Sequence, residues 1–283
     1  MEVGLRIAKN GILTMKKSIV VSTPEAQFSA VVFRQDFGKS IEKVAKLGYQ
    51  GVELAIRDPA IVDRKEIKKL VESFGLEVPA VGTGQAYGEE GLSFSSPNDG
   101  IRKKAVKRVK DHIHFASSFG AQVIIGLIRG KIEEGVGRKI AEEWALEATR
   151  ECAKLAEECG IYLIFEPINR YETNFINRVE EAIEFLERLD EQNVRLLIDT
   201  FHMNIEEISI YQSIEKAKDH LTHVHFADSN RWAPGYGHLN FPKIVETLGG
   251  IDYKGYLSAE VLPLPNPDTA AKQAIEYLTG IDS

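Results

Sequence analysis

The chain has 283 residues, of which 43% are hydrophobic, and a formal net charge of −7. That length suits one large domain or two small ones, and enough apolar residues are present to bury a sizeable core. The acidic balance argues against non-specific binding to nucleic acid or to an anionic membrane. No apolar run reaches the roughly 18 residues of a membrane span, and the N-terminus shows no signal-peptide core.

Residues 1–14 differ in pattern from the rest of the chain and are read as an N-terminal extension, leaving 15–283 as one catalytic domain. From Met15 onward, short apolar runs alternate with longer stretches of helical period. The runs are Ser18–Ser22, Gly51–Leu54, Val78–Gly82, Gln122–Leu127, Ile161–Phe165, Val194–Ile198, Leu221–Phe226 and Tyr256–Val261. Between and after them lie amphipathic segments near Phe37–Leu47, Asp63–Phe74, Gly100–Phe119, Arg138–Cys159, Arg178–Leu189, Ile208–Asp219, Phe241–Leu248 and Asp268–Leu278. Four of these end in glycine (Gly48, Gly75, Gly120, Gly160), which supplies a left-handed C-cap at little steric cost.

The runs are continuously apolar rather than alternating, as parallel strands covered on both faces require. Gly82-Thr83-Gly84 is too short for a dinucleotide fingerprint, and no glycine-rich phosphate loop follows the first run. The expectation is an α/β fold of the (β/α)₈ TIM barrel type, with a single domain. The basic run Arg102–Lys110 carries apolar residues at helical spacing and reads as the solvated face of a helix. Cys152 and Cys159 lie seven apart on one helix, about 10 Å along its axis and too far for a disulfide. Free thiols point to a reducing compartment, and the expected location is the cytoplasm.

Barrel enzymes place their chemistry where strands end. Four consecutive runs, the fifth to the eighth, deliver Glu166, Asp199, His225 and Glu260 at that end, separated by 33, 26 and 35 residues, about one strand–helix repeat each. Buried carboxylates are costly unless paired or metal-bound, and three of them converging with an imidazole call for a cation. That donor set suits one divalent ion per chain, Mn²⁺, Mg²⁺ or Co²⁺, better than a structural zinc.

Three motifs then carry a resemblance: Glu166-Pro-Ile-Asn-Arg-Tyr-Glu172, Asp199-Thr-Phe-His202, and His225-Phe-Ala-Asp-Ser-Asn-Arg231 followed by Gly235-Tyr-Gly-His238, with Glu260 completing the set. Over roughly residues 16–280 the chain resembles the xylose isomerase-like barrel superfamily, and within it the D-tagatose/D-psicose 3-epimerase-related enzymes. The resemblance implies that Glu166, Asp199, His225 and Glu260 hold one metal ion, Mn²⁺ or Co²⁺. It also implies that Glu166 and Glu260 are paired acid/base catalysts on opposite faces of a ketose, and that Glu172, His202 and Arg231 bind its first oxygens. Without it, these last three read as a solvated loop glutamate, a surface or capping histidine and a salt-bridging arginine.

Glu53 is read as a contact behind the ligands, a contact to substrate or a structural buried carboxylate. His223 faces the same way as His225 but is not the ligand in the resemblance. Arg57 and Arg129 read as ordinary loop arginines, and His112 and His114 as structural. His238 is placed in a turn.

The expected activity is a metal-dependent C3 epimerisation of a tagatose-, psicose- or fructose-like ketose, in a homo-oligomer, either dimer or tetramer. The partner is a small-molecule sugar, with no nucleic acid and no membrane. The alternatives are an aldose–ketose or inosose-type isomerase on the same site, an endonuclease IV-like apurinic-site nuclease, and a catalytically inactive binding protein.

Overall fold

The computed structural model describes residues 15–281, so the expected extension 1–14 lies outside the described residues. In chain order the strands are β1 (Lys16–Ser22), the two-residue β2 (Phe33–Arg34), β3 (Gly51–Ala55), β4 (Ala80–Gly82), β5 (Gln122–Ile125), β6 (Leu163–Phe165), β7 (Val194–Asp199), β8 (Leu221–Phe226) and β9 (Tyr256–Ala259). Every pairing is parallel, and β1 pairs with both β3 and β9, which closes an eight-stranded barrel. The short β2 adds to the end of β1 through Val21 and Ser22.

All eight predicted runs are strands, and the eight amphipathic segments are helices: α1 (Phe37–Lys46), α2 (Arg64–Ser73), then, beyond a short α3 (Gly84–Glu90), α4 (Asp99–Ala116), α5 (Arg138–Glu158) and α6 (Val179–Leu189). A second short helix, α7 (Thr200–Glu206), precedes α8 (Ile210–Ala217), α9 (Phe241–Gly250) and α10 (Pro267–Ile281). The helices α3 and α7 are not anticipated by the sequence pattern. With two glycines in seven residues, α3 shows no helical apolar period, and α7 starts directly off β7, so its first residues read as a strand end. Gly48, Gly75, Gly120 and Gly160 all have φ between 66° and 89°, as left-handed caps require. The basic run falls on α4, where Ala105, Val106 and Val109 are buried while Lys103, Lys107 and Lys110 pair with Asp99, Asp111 and Glu151. Among the described residues no helix is long and apolar enough to cross a membrane.

Strand alternation sorts side chains between two cores. In β3, Val52 and Leu54 pack outward into the main core beneath the helices. Inside the barrel, Ala80, Ile124, Ile164 and Leu197 from β4–β7 form a separate apolar cluster. Beside it lie the polar Ser18, Glu53, His223 and Ser258, all buried, and a second small apolar cluster that includes Val20 and Ala55.

Arg129, expected to be an ordinary loop arginine, is fully buried. Its guanidinium donates to the carbonyls of Gly126 (2.9 Å), Phe175 (3.1 Å) and Ile176 (2.8 Å), and its carbon lies 5.4 Å from the centre of the Phe165 ring. It thereby ties the loop after β5 to the loop after β6 and holds Ile176, a β-branched residue at φ 57°. Burial pulls its pKa down to about 10, so it remains charged near neutrality. Replacing Arg129 by Met orphans these carbonyls and is expected to cost about 3 kcal/mol of stability, read as a lower urea midpoint at unchanged slope.

Candidate active site

The four predicted ligands meet at the C-terminal mouth of the barrel. Glu166 follows β6 and Glu260 follows β9, while Asp199 ends β7 and His225 lies one residue before the end of β8. One ligand atom from each falls within 4.8 Å of the others. Asp199 is also the N-cap of α7: one of its oxygens accepts from Phe201 N–H at 2.8 Å, which fixes the carboxylate and leaves the other oxygen to the cluster. His225 Nδ1 lies 3.3 Å from Glu260, 3.5 Å from Glu166 and 3.8 Å from Asp199.

These donors fit a divalent cation. His225 Nδ1 is buried, has no hydrogen-bond partner and faces three carboxylates. Burial disfavours the imidazolium, but the charges of Glu53 and Glu260 outweigh it and raise the His225 pKa well above its ordinary value. The same negative field draws a metal ion to that nitrogen. Burial raises Glu166 to about 7, with His225 opposing and the Glu260 and Asp199 charges reinforcing. Burial also pushes Glu260 upward, but His225 and Arg231 outweigh it and hold this carboxyl below the usual range. Three oxygens and one nitrogen form a set for a hard or borderline divalent ion.

Space for the Glu166 carboxylate comes from Gly126, at the end of β5. A Cβ there would sit 2.8 Å from Glu166 Oε2. Nothing in the sequence pattern marks this glycine as part of the site.

Arg231 lies in the loop after β8, with φ 64°. Asp228 shapes that loop by accepting from the backbone N–H groups of Ser229 (2.7 Å), Gly235 (2.8 Å) and Leu239 (3.1 Å). The Arg231 guanidinium donates to Asp199 Oδ2 at 2.5 Å and to Glu260, and its carbon stands 4.9 Å from the centre of the Phe201 ring. It is thus a buried cation on the cavity wall rather than a surface arginine.

His202 and Glu172 reach the cavity through Asn169, a residue inside the first motif with no role of its own assigned from sequence. Asn169 is 1% exposed and accepts from Tyr171 N–H through its carbonyl oxygen at 2.9 Å. That fixes its amide, whose NH₂ then donates to Glu172 at 2.8 Å and to His202 Nδ1 at 2.7 Å. With Nδ1 accepting, His202 carries its proton on Nε2, which lies 3.9 Å from Glu166 and 4.0 Å from Asp199. Burial lowers the His202 pKa to about 3, so the ring is a neutral donor. Glu172 sits at the rim, with its side chain 37% exposed.

The other candidates fall elsewhere. His238 bonds Ser229 on the exposed loop, and Arg57 pairs with Glu89. His112 is buried with each ring nitrogen 2.8 Å from a backbone carbonyl oxygen, of Arg108 and Ile56, away from the cavity. His223 contacts Glu53 and lies outside the four-residue cluster. Glu53 is 1% exposed, and burial pushes its pKa up, but His225 and His223 outweigh this and hold it well below the usual range.

The cavity above the cluster encloses about 250 Å³ and is two-sided. Glu166, Glu172, His202, His225, Arg231 and Glu260 line one half, while the facing half is lined largely by apolar residues and glycines, among them Val20, Phe28, Ala55, Ile124 and Leu127.

Residues 41–281 match the family model of the xylose isomerase-like TIM barrel, and the chain belongs to that family. Relatives within it include the D-psicose 3-epimerase of Ruminiclostridium cellulolyticum, 33% identical across 87% of this chain and 83% of that protein. The L-ribulose 3-epimerase of a Methylomonas species is 30% identical across 78% of this chain and 77% of its own length. The solved structure of D-psicose 3-epimerase with D-tagatose from Clostridium cellulolyticum H10 superposes with a TM-score of 0.81 at 27% identity, covering 94% of this chain and 99% of that one. These relatives are ketose 3-epimerases, enzymes of the isomerase class.

Replacing Asn169 by Leu frees both His202 and Glu172 from their fixed orientations. The expected result in steady-state kinetics is a KM raised about tenfold with a smaller loss in kcat, since the two side chains stand beside the four-residue cluster rather than in it.

Proposed function

We propose that this protein epimerises a free ketose at C3, using Glu166 and Glu260 as the two proton-transfer groups. The observation that carries the reading is the placement of two glutamates at the ends of non-adjacent strands, β6 and β9, with His225 Nδ1 within 3.5 Å of both. Inverting one carbon requires a proton to leave one face and another to arrive at the opposite face. One glutamate removes the C3 proton, leaving a planar enediolate, and the other, protonated, delivers to the far side. For the reverse reaction the roles exchange.

Glu166, Asp199, His225 and Glu260 would hold one divalent ion, for which Mn²⁺ is the first choice and Co²⁺ or Mg²⁺ the alternatives. Such an ion stabilises negative charge developing on substrate oxygens. His202 donates from Nε2–H to a substrate oxygen, and Arg231 adds fixed positive charge beside the same oxygens. Glu172 accepts from a hydroxyl at the rim.

The cavity supports a small unphosphorylated sugar. Among the described residues, its apolar half is lined by no lysine or arginine that could meet a phosphate. An endonuclease IV-like site draws no support, because β4 and β5 end in Gly82-Thr83 and Gly126-Leu127, without the histidines that a multi-metal centre needs. Cys152 and Cys159 are free, which suits a cytoplasmic setting.

The test is turnover of a ketose panel (D-psicose, D-fructose, D-tagatose, L-ribulose) in D₂O by the Mn²⁺-loaded protein, followed by NMR. Deuterium should enter at C3 of the product. Deuterium at C1 without any at C3 would replace this reading with an aldose–ketose isomerase. Glu166→Gln and Glu260→Gln should each lower kcat about 10²- to 10⁴-fold, and full turnover by either variant would remove that glutamate from the mechanism.

A further inference from the structure

Glu53 is not a member of the four-residue cluster, yet it decides how one member presents itself. Its carboxylate is buried inside the barrel and accepts three hydrogen bonds: His225 Nε2 at 2.9 Å on Oε1, and His223 Nε2 and Ser258 Oγ, each at 2.8 Å, on Oε2. These donors come from β9 and β8, two and three strands round the barrel from β3 by way of β1. Strand alternation sends Val52 and Leu54 outward and Glu53 inward, toward them.

A neutral imidazole carries one N–H and one bare lone pair. With an ionised carboxylate 2.9 Å from Nε2, the proton belongs there, and the lone pair belongs to Nδ1. Nδ1 is the nitrogen without a partner, lying between Glu166, Asp199 and Glu260. We propose that Glu53 is a positioning residue for the metal centre: it locks His225 in the Nε2–H tautomer and ring orientation that offer Nδ1 to the cation, while His223 and Ser258 hold Glu53 in place. The inference rests on the metal-dependent reading above and adds a residue outside the four ligands.

Two measurements test it. In ¹⁵N-histidine-labelled wild-type protein loaded with Zn²⁺ as a diamagnetic probe, two-bond ¹H–¹⁵N correlations should show His225 protonated at Nε2, with its metal-shifted nitrogen at Nδ1. Separately, Mn²⁺ titrations followed by the EPR signal of free Mn²⁺ should give a dissociation constant about 10- to 100-fold weaker for Glu53→Gln than for wild type, with the metal-free variant still folded by circular dichroism. A Glu53 that only fills the barrel would lower the metal-free melting temperature and leave the Mn²⁺ dissociation constant unchanged, and that outcome overturns the proposal. So does a loaded wild-type His225 bound through Nε2, a result that stands even where the variant fails to fold. His225→Ala separates this idea from the reading beneath it. If His225→Ala binds Mn²⁺ as tightly as wild type, the four-residue metal site itself is wrong. If it loses binding while Glu53→Gln does not, only the role of Glu53 falls.

Discussion

Three carboxylates buried within a few ångströms of one another repel strongly, and burial limits how far solvent can screen that repulsion. Much of the mouth answers this one constraint. His225 stands between Glu166, Asp199 and Glu260, and Arg231 reaches in from the loop after β8 to meet two of them. Asp199 spends one oxygen on the first turn of α7. The loops are built to keep these answers in place: Asp228 folds the Arg231 loop around its own carboxylate, and Arg129 straps the loop after β6 to the one after β5.

The constraint also explains what can be read from the residues alone. A carboxylate or imidazole at the end of each of four consecutive apolar runs is conspicuous because burial of charge is expensive, so the four-residue cluster is visible without coordinates. The barrel is visible for a similar reason, since continuous apolar runs alternating with amphipathic helices have few closed solutions. Glycines after helices mark their ends because a left-handed φ excludes most other residues.

What escapes the sequence depends on direction rather than on composition. Asn169 looks like one more polar loop residue, and only the placement of its carbonyl on Tyr171 N–H makes its NH₂ a shared donor for His202 and Glu172. Arg129 resembles its exposed counterparts, because burial of an arginine on backbone carbonyls leaves no pattern along the chain. Gly126 matters through the absence of a side chain opposite Glu166. Glu53 stands out at a strand end, but its partners are about 170 and 205 residues away in sequence, and no local signal ties them together. The short helices α3 and α7 are hidden by glycines in one case and by direct continuation from a strand in the other.

The two-sided cavity has a consequence for how such a protein changes over time. Six of the eight ionisable lining residues come from β6–β9 and their loops, Glu53 and Glu89 being the others, while the facing wall is supplied mainly by β1, β3, β4, β5 and the loops beyond them. On the proposed reading, proton transfer and the shape of the facing wall therefore fall to different stretches of chain. A substitution at Phe28 or Leu127 alters one wall without touching the four-residue cluster. Under the proposed function, the N-terminal half-barrel has room to reshape the cavity without disturbing Glu166, Asp199, His225 or Glu260.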